Sequence, residues 1–212
     1  ILLMFILAFP VQLFAEDKVQ NIAMDETNWQ LSEKGAQFVN MDGIHALRLK
    51  AGTAQLLDRK FSSGIIEFDI KFTPDRGFMG IAFRANENQD TAEYFYFRSH
   101  QKNNPDANQY TPIFNNNSAW QLFYGEQYAT AIDYNHNTWQ HVKILLHGDE
   151  AEFYLDSDKP FLHIDDLHTD RKTGGIYLIA NFNQAEFSNF PITEREKVEY
   201  LGKTKDYAPA PD

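Results

Sequence analysis

Four side chains stand two residues apart in the segment EYFYFRSH: Tyr94, Tyr96, Arg98 and His100. In an extended strand, residues at that spacing project from one face. Two phenol rings, a guanidinium and an imidazole would then line one surface, with Phe95 and Phe97 turned toward a core. Ahead of them, GIAFR sends Ile81 and Phe83 inward and Gly80, Ala82 and Arg84 outward. The two small residues would leave a hollow beside which Arg84 projects. Such a surface suits a sugar, whose C–H faces pack on aromatic rings while its hydroxyls pair with Arg, Asn and Gln.

The next stretch, YFRSHQKNNPDANQYTPIFNNNSAWQLFYG over residues 96–125, is rich in neutral amides and rings and poor in charge. It is too long for an ordinary hairpin loop and reads as one polar connection of functional character. It adds Asn104, Asp106, Asn108, Gln109, Tyr110, Trp120 and Tyr124 to the candidate ligand-binding residues. Tyr94, Tyr96 and Trp120 would stack on a ligand; Arg84, Arg98, Asn108 and Gln109 would hydrogen-bond to it. If the surface is catalytic, the acid/base candidates are Glu93, Glu126, Asp106 and His100. The bland alternative is a turn-rich loop whose Asn and Asp cap its own backbone.

Other chemistry is weakly signalled. HIDDLH brings His163, Asp165, Asp166 and His168 together, all metal-ligating types, at a spacing that matches no zinc motif. There is no Gly-x-Ser-x-Gly, P-loop, dinucleotide fingerprint or His-Glu-x-x-His. With no cysteine in the chain, disulfides, thiol nucleophiles and thiolate zinc sites are excluded.

The composition of the 212 residues narrows the partners. Nineteen basic against thirty acidic side chains give a net charge of −11, which repels nucleic acid and anionic membrane surfaces. An apolar share of 43%, including 18 Phe and 10 Tyr, is enough for a sizeable core. The opening ILLMFILAFPVQLFA, followed by Glu16, Asp17 and Lys18, resembles a secretory leader and its cleavage site. Residues 1–15 are therefore expected to be a signal peptide, and the mature protein to be secreted or periplasmic with no stable membrane insertion.

The elements that must position these residues are strands. Period-2 alternation dominates from about Ala46 onward, with no convincing long helix. GIIEFDIKF places Ile66, Phe68, Ile70 and Phe72 on one face. WQHVKILLHG offers Val142, Ile144 and Leu146 to the core, and a Gly-Asp turn leads into AEFYLD as the return strand of a hairpin. Trp29 and Trp139 read as core or hairpin anchors. Many short strands between Gly, Asn, Asp and Pro turns predict an all-β, two-sheet antiparallel sandwich over 16–195. Residues 196–212 read as a charged tail or linker.

The order of these strands and turns resembles the concanavalin A-like lectin/glucanase superfamily, a jelly-roll β-sandwich. TWQHVKILLHGDEAEFYLD is similar to the laminin G-type core hairpin, and TGGIYLIA and AEFSNFPI to the last two core strands. GIAFR followed by a second strand and a long polar insertion resembles the 3-keto-disaccharide hydrolase family. Here GFMGIAFR lacks the Asn that family carries ahead of this strand, and EYFYFR lacks its Gln, so no catalytic role is carried over. Laminarinase-type glucanases use carboxylates alternating along one strand. The matching positions here are Glu67, Asp69 and Lys71, so the third acid is missing and a solvated outer face is expected. The resemblance also allows a structural calcium ion between sheet and loop, with Asp58 or Asn189 as oxygen ligands.

These readings lead to an expected carbohydrate- or glycoconjugate-binding domain centred on residues 94–126. A glycoside hydrolase or lyase is the alternative, and a laminin G-like adhesion module a second. An enzyme of the glycosidase type would need paired carboxylates in a cleft; a lectin would line a groove with rings instead.

Overall fold

Alternation in the sequence becomes two facing sheets joined by two strands that pass from one to the other. The computed structural model describes residues 18–202; the expected signal peptide and the end of the charged tail lie outside the described residues. The chain runs through β1 (Val19–Ile22), β2 (Trp29–Leu31), β3 (Ala36–Met41), β4 (Ile44–Leu56) and β5 (Gly64–Phe72). It continues through β6 (Phe78–Ala85), β7 (Ala92–Arg98), β8 (Asn108–Phe114), β9 (Asn117–Ser118) and β10 (Gln140–His147). Last come β11 (Glu150–Leu155), β12 (Leu162–Ile164), β13 (Gly175–Ser188) and β14 (Phe190–Glu194). No helix occurs among the described residues, and all the pairings are antiparallel.

The front sheet runs β2, the second half of β4, the first half of β13, then β6, β7, β8 and β9. The back sheet runs β3, the first half of β4, the second half of β13, then β5, β10, β11 and β12, with β14 and β1 flanking β5. The two long strands change sheet at matching irregularities. The β4–β13 register shifts between Ala180 and Gln184, and left-handed backbone occurs at Ala51 (φ 53°) and Phe182 (φ 68°). Bulges of this kind let a strand turn the corner of a sandwich while keeping its ladder.

The core lies between the sheets and holds the residues that alternation assigned to it. Ile66, Phe68, Ile70, Phe72, Val142, Ile144 and Leu146 of the back sheet are buried, as are Ile81, Phe83, Phe95 and Phe97 of the front sheet. Rings span the interface: Phe95 stacks on Phe153 at 4.3 Å between centroids, and Phe72 on Phe97 at 5.9 Å. Trp29 is also buried, edge-on to Phe190 at 5.0 Å, with its indole N–H donating to the Ala23 carbonyl. The Gly148-Asp149 turn joins β10 to β11 as expected, with Gly148 at φ 60°.

One expectation about organisation is corrected. Residues 96–125 are not one polar connection, because β8 forms within them and pairs along the whole of β7. Its Asn and Gln side chains are buried but hydrogen-bonded, so their polarity does not exclude them from a sheet. Asn115 and Asn116, at φ 51° and 63°, make the primed two-residue turn that closes the β8–β9 hairpin. Strands also begin well before Ala46, with β1 to β3 capping the edges of both sheets. At the other end, residues 196–202 run along β10–β11. The Tyr200 hydroxyl donates there to the carbonyls of Glu150 (2.7 Å) and His147 (3.1 Å).

The outer face of the back sheet carries the alternating carboxylates, and they have a structural partner. His141 of β10 sits beside β5, its Nδ1 2.7 Å from Asp69 Oδ1 and its Nε2 3.2 Å from Glu67 Oε1. Lys71, where the glucanase pattern needs an acid, lies 5.2 Å over the Trp139 ring. The bonds to Asp69 and then Glu67 outweigh burial and push the His141 pKa up from 6.5 to about 9. A raised folded-state value means that the stabilisation is complete below pH 6.5 and is lost as pH rises through about 9. Thermal midpoints measured across that window should fall more for the wild type than for His141→Gln. Parallel slopes would show that the pairing contributes nothing.

Candidate functional site

The outer face of the front sheet carries the rings that spacing placed there. Tyr94 and Tyr96 project opposite to Phe95 and Phe97 and form a second apolar cluster with Ala82, Ala85, Ala92 and Tyr177. Their rings lie 4.9 Å apart. Phe78, cross-strand from Arg98, meets Tyr96 edge-on at 5.6 Å and Phe182 at 5.7 Å. Together with Trp120 these rings bound a hollow of about 670 Å³, a volume that suits a small-molecule site.

Cations stand on this aromatic floor. The Arg98 guanidinium lies 5.8 Å from the Tyr96 ring centre and 5.9 Å from that of Phe78. Arg76 lies 5.4 Å from Phe182 and 5.9 Å from Phe78, and His100 is edge-on to Phe78 at 5.7 Å. Burial, then the positive charges of Arg76 and Arg98, hold the His100 pKa below its ordinary 6.5, against a weaker pull from Asp106. The imidazole is therefore neutral at pH 7. Arg98 Nε and His100 Nδ1 are buried with no hydrogen-bond partner among the described residues.

The site is braced from behind by Gln109 of β8. Its Oε1 accepts from the Tyr96 hydroxyl at 2.6 Å and from the Arg98 guanidinium, and its Nε2 donates to the carbonyls of Trp120 (2.8 Å) and Phe123. One buried amide thus ties the strand residues of the hollow to the 119–125 segment that carries its rim. Arg98 completes its fork on Asp106 Oδ2 at 2.7 Å.

The hollow gathers Tyr94, Tyr96, Arg98, His100 and Trp120 from the expected set, with Gln109 bracing them. Asp106 and Tyr124 line an adjoining cavity, again with Arg98 and Trp120. Other candidates lie elsewhere. Arg84 is fully buried, because a bulge against β13 breaks the alternation at its left-handed backbone (φ 53°). Its guanidinium donates to the carbonyls of Gly148 (2.7 Å) and Ser62 (2.8 Å). Glu93, one residue from Tyr94, points inward and accepts from the Tyr110 hydroxyl (2.5 Å) and from the amide and hydroxyl of Thr169. Tyr110 is buried with it, and Asn108 donates to the Thr130 carbonyl at 2.8 Å. Asn104 and Glu126 are exposed on turns and line neither cavity.

The expected hollow over Gly80 and Ala82 is also displaced. Ala82 is cross-strand from both Tyr94 and Tyr177 and packs in their cluster. Gly80 is needed where β6 approaches β7, since a Cβ there would collide with the Phe95 carbonyl. Residues overlooked in the sequence are Arg76, Phe78, Gln101, Ser118, Asn181 and Phe182. Phe78 had a signal, two residues before Gly80 on the same face. Asn181 also had one, since it follows Tyr177 and Ile179 at period two and pairs with Phe78; Phe182 had none, because it reaches the hollow only through the β13 bulge.

His163 and His168 part company: His163 faces Glu152 (3.0 Å) and Glu150 (3.2 Å), whereas His168 packs on Phe123 at 4.6 Å. Asn189 donates to Asp69, and Asp58 lines a separate groove beside Arg59 and Lys60. Among the described residues no three His, Asp or Glu side chains are grouped to hold a metal ion.

Comparison with known proteins places this geometry. The family described as 3-keto-alpha-glucoside-1,2-lyase-like domain matches residues 19–193. Among curated protein sequences none matches this chain. Carbohydrate-binding module CBM66 from Bacillus subtilis is similar in structure at 14% identity and TM-score 0.57, covering 78% of this chain and 95% of the module. A Bacillus subtilis protein of unknown function with a galectin-like fold has TM-score 0.59 at 12% identity, covering 84% of this chain and 98% of its own. Bacillus licheniformis beta-glucanase has TM-score 0.54 at 10% identity, covering 85% and 99%. At these identities the likeness establishes the concanavalin A-like jelly-roll fold.

The Gln109 brace makes its own forecast. Gln109→Leu strands the Trp120 and Phe123 carbonyls and the Tyr96 hydroxyl, and should cost about 1–3 kcal/mol in denaturant unfolding. It should also speed amide hydrogen exchange in residues 119–125. Unchanged exchange in that segment would show that the rim is held by something else.

Proposed function

This chain belongs to the 3-keto-alpha-glucoside-1,2-lyase-like family, and from that premise we propose that the front-sheet hollow binds a sugar ring of a glycoside. The observation that carries the reading is the juxtaposition, in one hollow, of an aromatic floor with the guanidinium groups of Arg76 and Arg98 and the amides of Gln101 and Asn181. A sugar presents both halves of that surface at once: C–H groups for the rings and hydroxyl groups for the guanidinium and amide groups. The fold shared with a carbohydrate-binding module and a beta-glucanase supports the same class of ligand.

A second reading, catalysis, is favoured by one feature. Among the described residues no carboxylate lines the hollow, which argues against glycosidase chemistry with its paired acids. The neutral His100 imidazole between two guanidiniums suits removal of a proton next to a carbonyl instead. In a sugar oxidised at C3, the C2 proton would pass to His100. The resulting enolate oxygen would be held by Arg98 or Arg76, and the C1–O bond would break with its electron pair leaving on the aglycone. The enzymatic form of the proposal is thus a 1,2-elimination.

A glycan array, run beside an elimination assay on 3-oxo-glucosides, tests both readings. Alanine at Tyr96, Arg98 or Trp120 should weaken glycan binding about fivefold or more, one ring–sugar stacking contact being worth on the order of 1 kcal/mol. His100→Gln should retain binding and abolish any elimination. Glycan binding indifferent to all three alanine variants removes the site.

A further inference from the structure

The back sheet ends in an open edge. β3 pairs with β4 alone, over six residues and without a register shift. Other edges are short or closed: β1, β2, β9 and β12 span two to four residues each. Beyond β9 the edge of β8 is sealed, the Tyr110 amide donating to the Tyr128 carbonyl at 2.7 Å. At β3 the Asp42-Gly43 turn, at φ 53° and 89°, is of the primed two-residue kind, so Met41, Val39 and Gln37 direct their backbone groups to β4. The Lys50 amide, donating to the Gly35 carbonyl at 2.6 Å, continues that phase. The N–H and C=O groups of Ala36, Phe38 and Asn40 therefore point away from the sheet and have no backbone partner among the described residues. An exposed edge is normally blunted by charge, proline or a bulge. AQFVNM has none of these.

We propose that β3 is a docking edge for a second copy of this chain, paired antiparallel about a two-fold axis at Phe38. Phe38 then stands opposite the second copy's Phe38, and Ala36 opposite its Asn40, so every outward N–H and C=O of the strand meets a partner. An axis at Val39 would leave Ala36 without a strand partner, and one at Gln37 would leave Asn40 so. The same register sets Lys34 of each copy opposite Asp42 of the other, an unlike pair at either end of the joined strands. Between those ends no charged side chain meets its like, which matters for two copies that each carry −11. Phe38, half-buried at the rim of the core, gains the second copy's ring as a neighbour. Backbone groups, charge and the apolar rim all match under one symmetry operation, and that self-match selects a second copy over a strand of foreign sequence.

Sedimentation equilibrium and amide hydrogen exchange on the full chain, from micromolar to millimolar concentration, test this. The wild type should dimerise, and the amides of Ala36, Phe38 and Asn40 should gain protection as concentration rises. Those of Gln37, Val39 and Met41, already bonded to β4, should exchange slowly throughout. Lys34→Glu should weaken the dimer about tenfold, since the axis applies the change twice. Adding Asp42→Asn, which suits the same turn, removes the new repulsion and should restore most of that loss; a mere folding defect would not be rescued. A monomer at every concentration overturns the proposal. So does a dimer whose Ala36, Phe38 and Asn40 amides still exchange freely, because its contact lies elsewhere. Protection of those amides in a monomer also overturns it and gives the edge to another segment of the chain. A dimer indifferent to Lys34→Glu overturns the register about Phe38.

Discussion

A buried primary amide has two lone-pair directions and two N–H groups, and Gln109 uses all four. Tyr96 and Arg98 donate to its oxygen; the carbonyls of Trp120 and Phe123 take its hydrogens. An amide satisfied in this way orients its neighbours at little net cost, whereas each bond left unmade in a buried place is expensive. The floor of the hollow lies on β7 and its rim on the 119–125 segment. Gln109, on the strand between, joins the two through its side-chain bonds. Any ligand geometry the site can offer depends on that join.

The same site depends on a defect in the sheet. Asn181 follows Tyr177 and Ile179 at period two and pairs with Phe78 in the front-sheet ladder, whereas a regular β13 would turn Phe182 to the opposite face. The register shift against β4 and the left-handed backbone at Phe182 instead bring its ring to the wall of the hollow. That irregularity is also what lets β13 pass from the front sheet to the back. The turning of the sandwich corner and the closing of the hollow are one structural event, so neither can be altered without the other.

These two features explain what could be read from residues alone. Faces were legible: period-2 spacing separated Phe95 and Phe97 from Tyr94 and Tyr96, and located Ile66, Phe68, Ile70 and Phe72 in the core. Alternation misled at Arg84, where a bulge inverts it, and it could not reveal the bulge in β13 that delivers Phe182. Composition misled over β8. Asn108, Gln109 and Tyr110 look like a polar loop because their side-chain hydrogen-bond partners lie 11 to 58 residues away and cannot be anticipated locally. Glu93 fails as a surface acid for a simpler reason. It is one step out of phase with Tyr94, and the inward position is tolerable only because Tyr110 and Thr169 supply three donors.

Charge is distributed so that the two outer faces do different things. The chain carries a net −11, yet the hollow is lined by Arg76, Arg98 and His100 with no carboxylate of its own. On the back sheet the alternating acids Glu67 and Asp69 are taken up by His141. A polyanion would be repelled by the surrounding acidic surface before it reached the arginines. A neutral glycoside meets no such barrier, and its approach leaves the guanidinium charges largely uncompensated apart from Asp106 on Arg98. Charge that develops on a bound sugar oxygen would then find two cations in a partly desolvated pocket, where their field is far less screened than in water. That charge distribution fits the proposed ligand, an uncharged glycoside, and the proposed elimination, in which an anion forms only after binding.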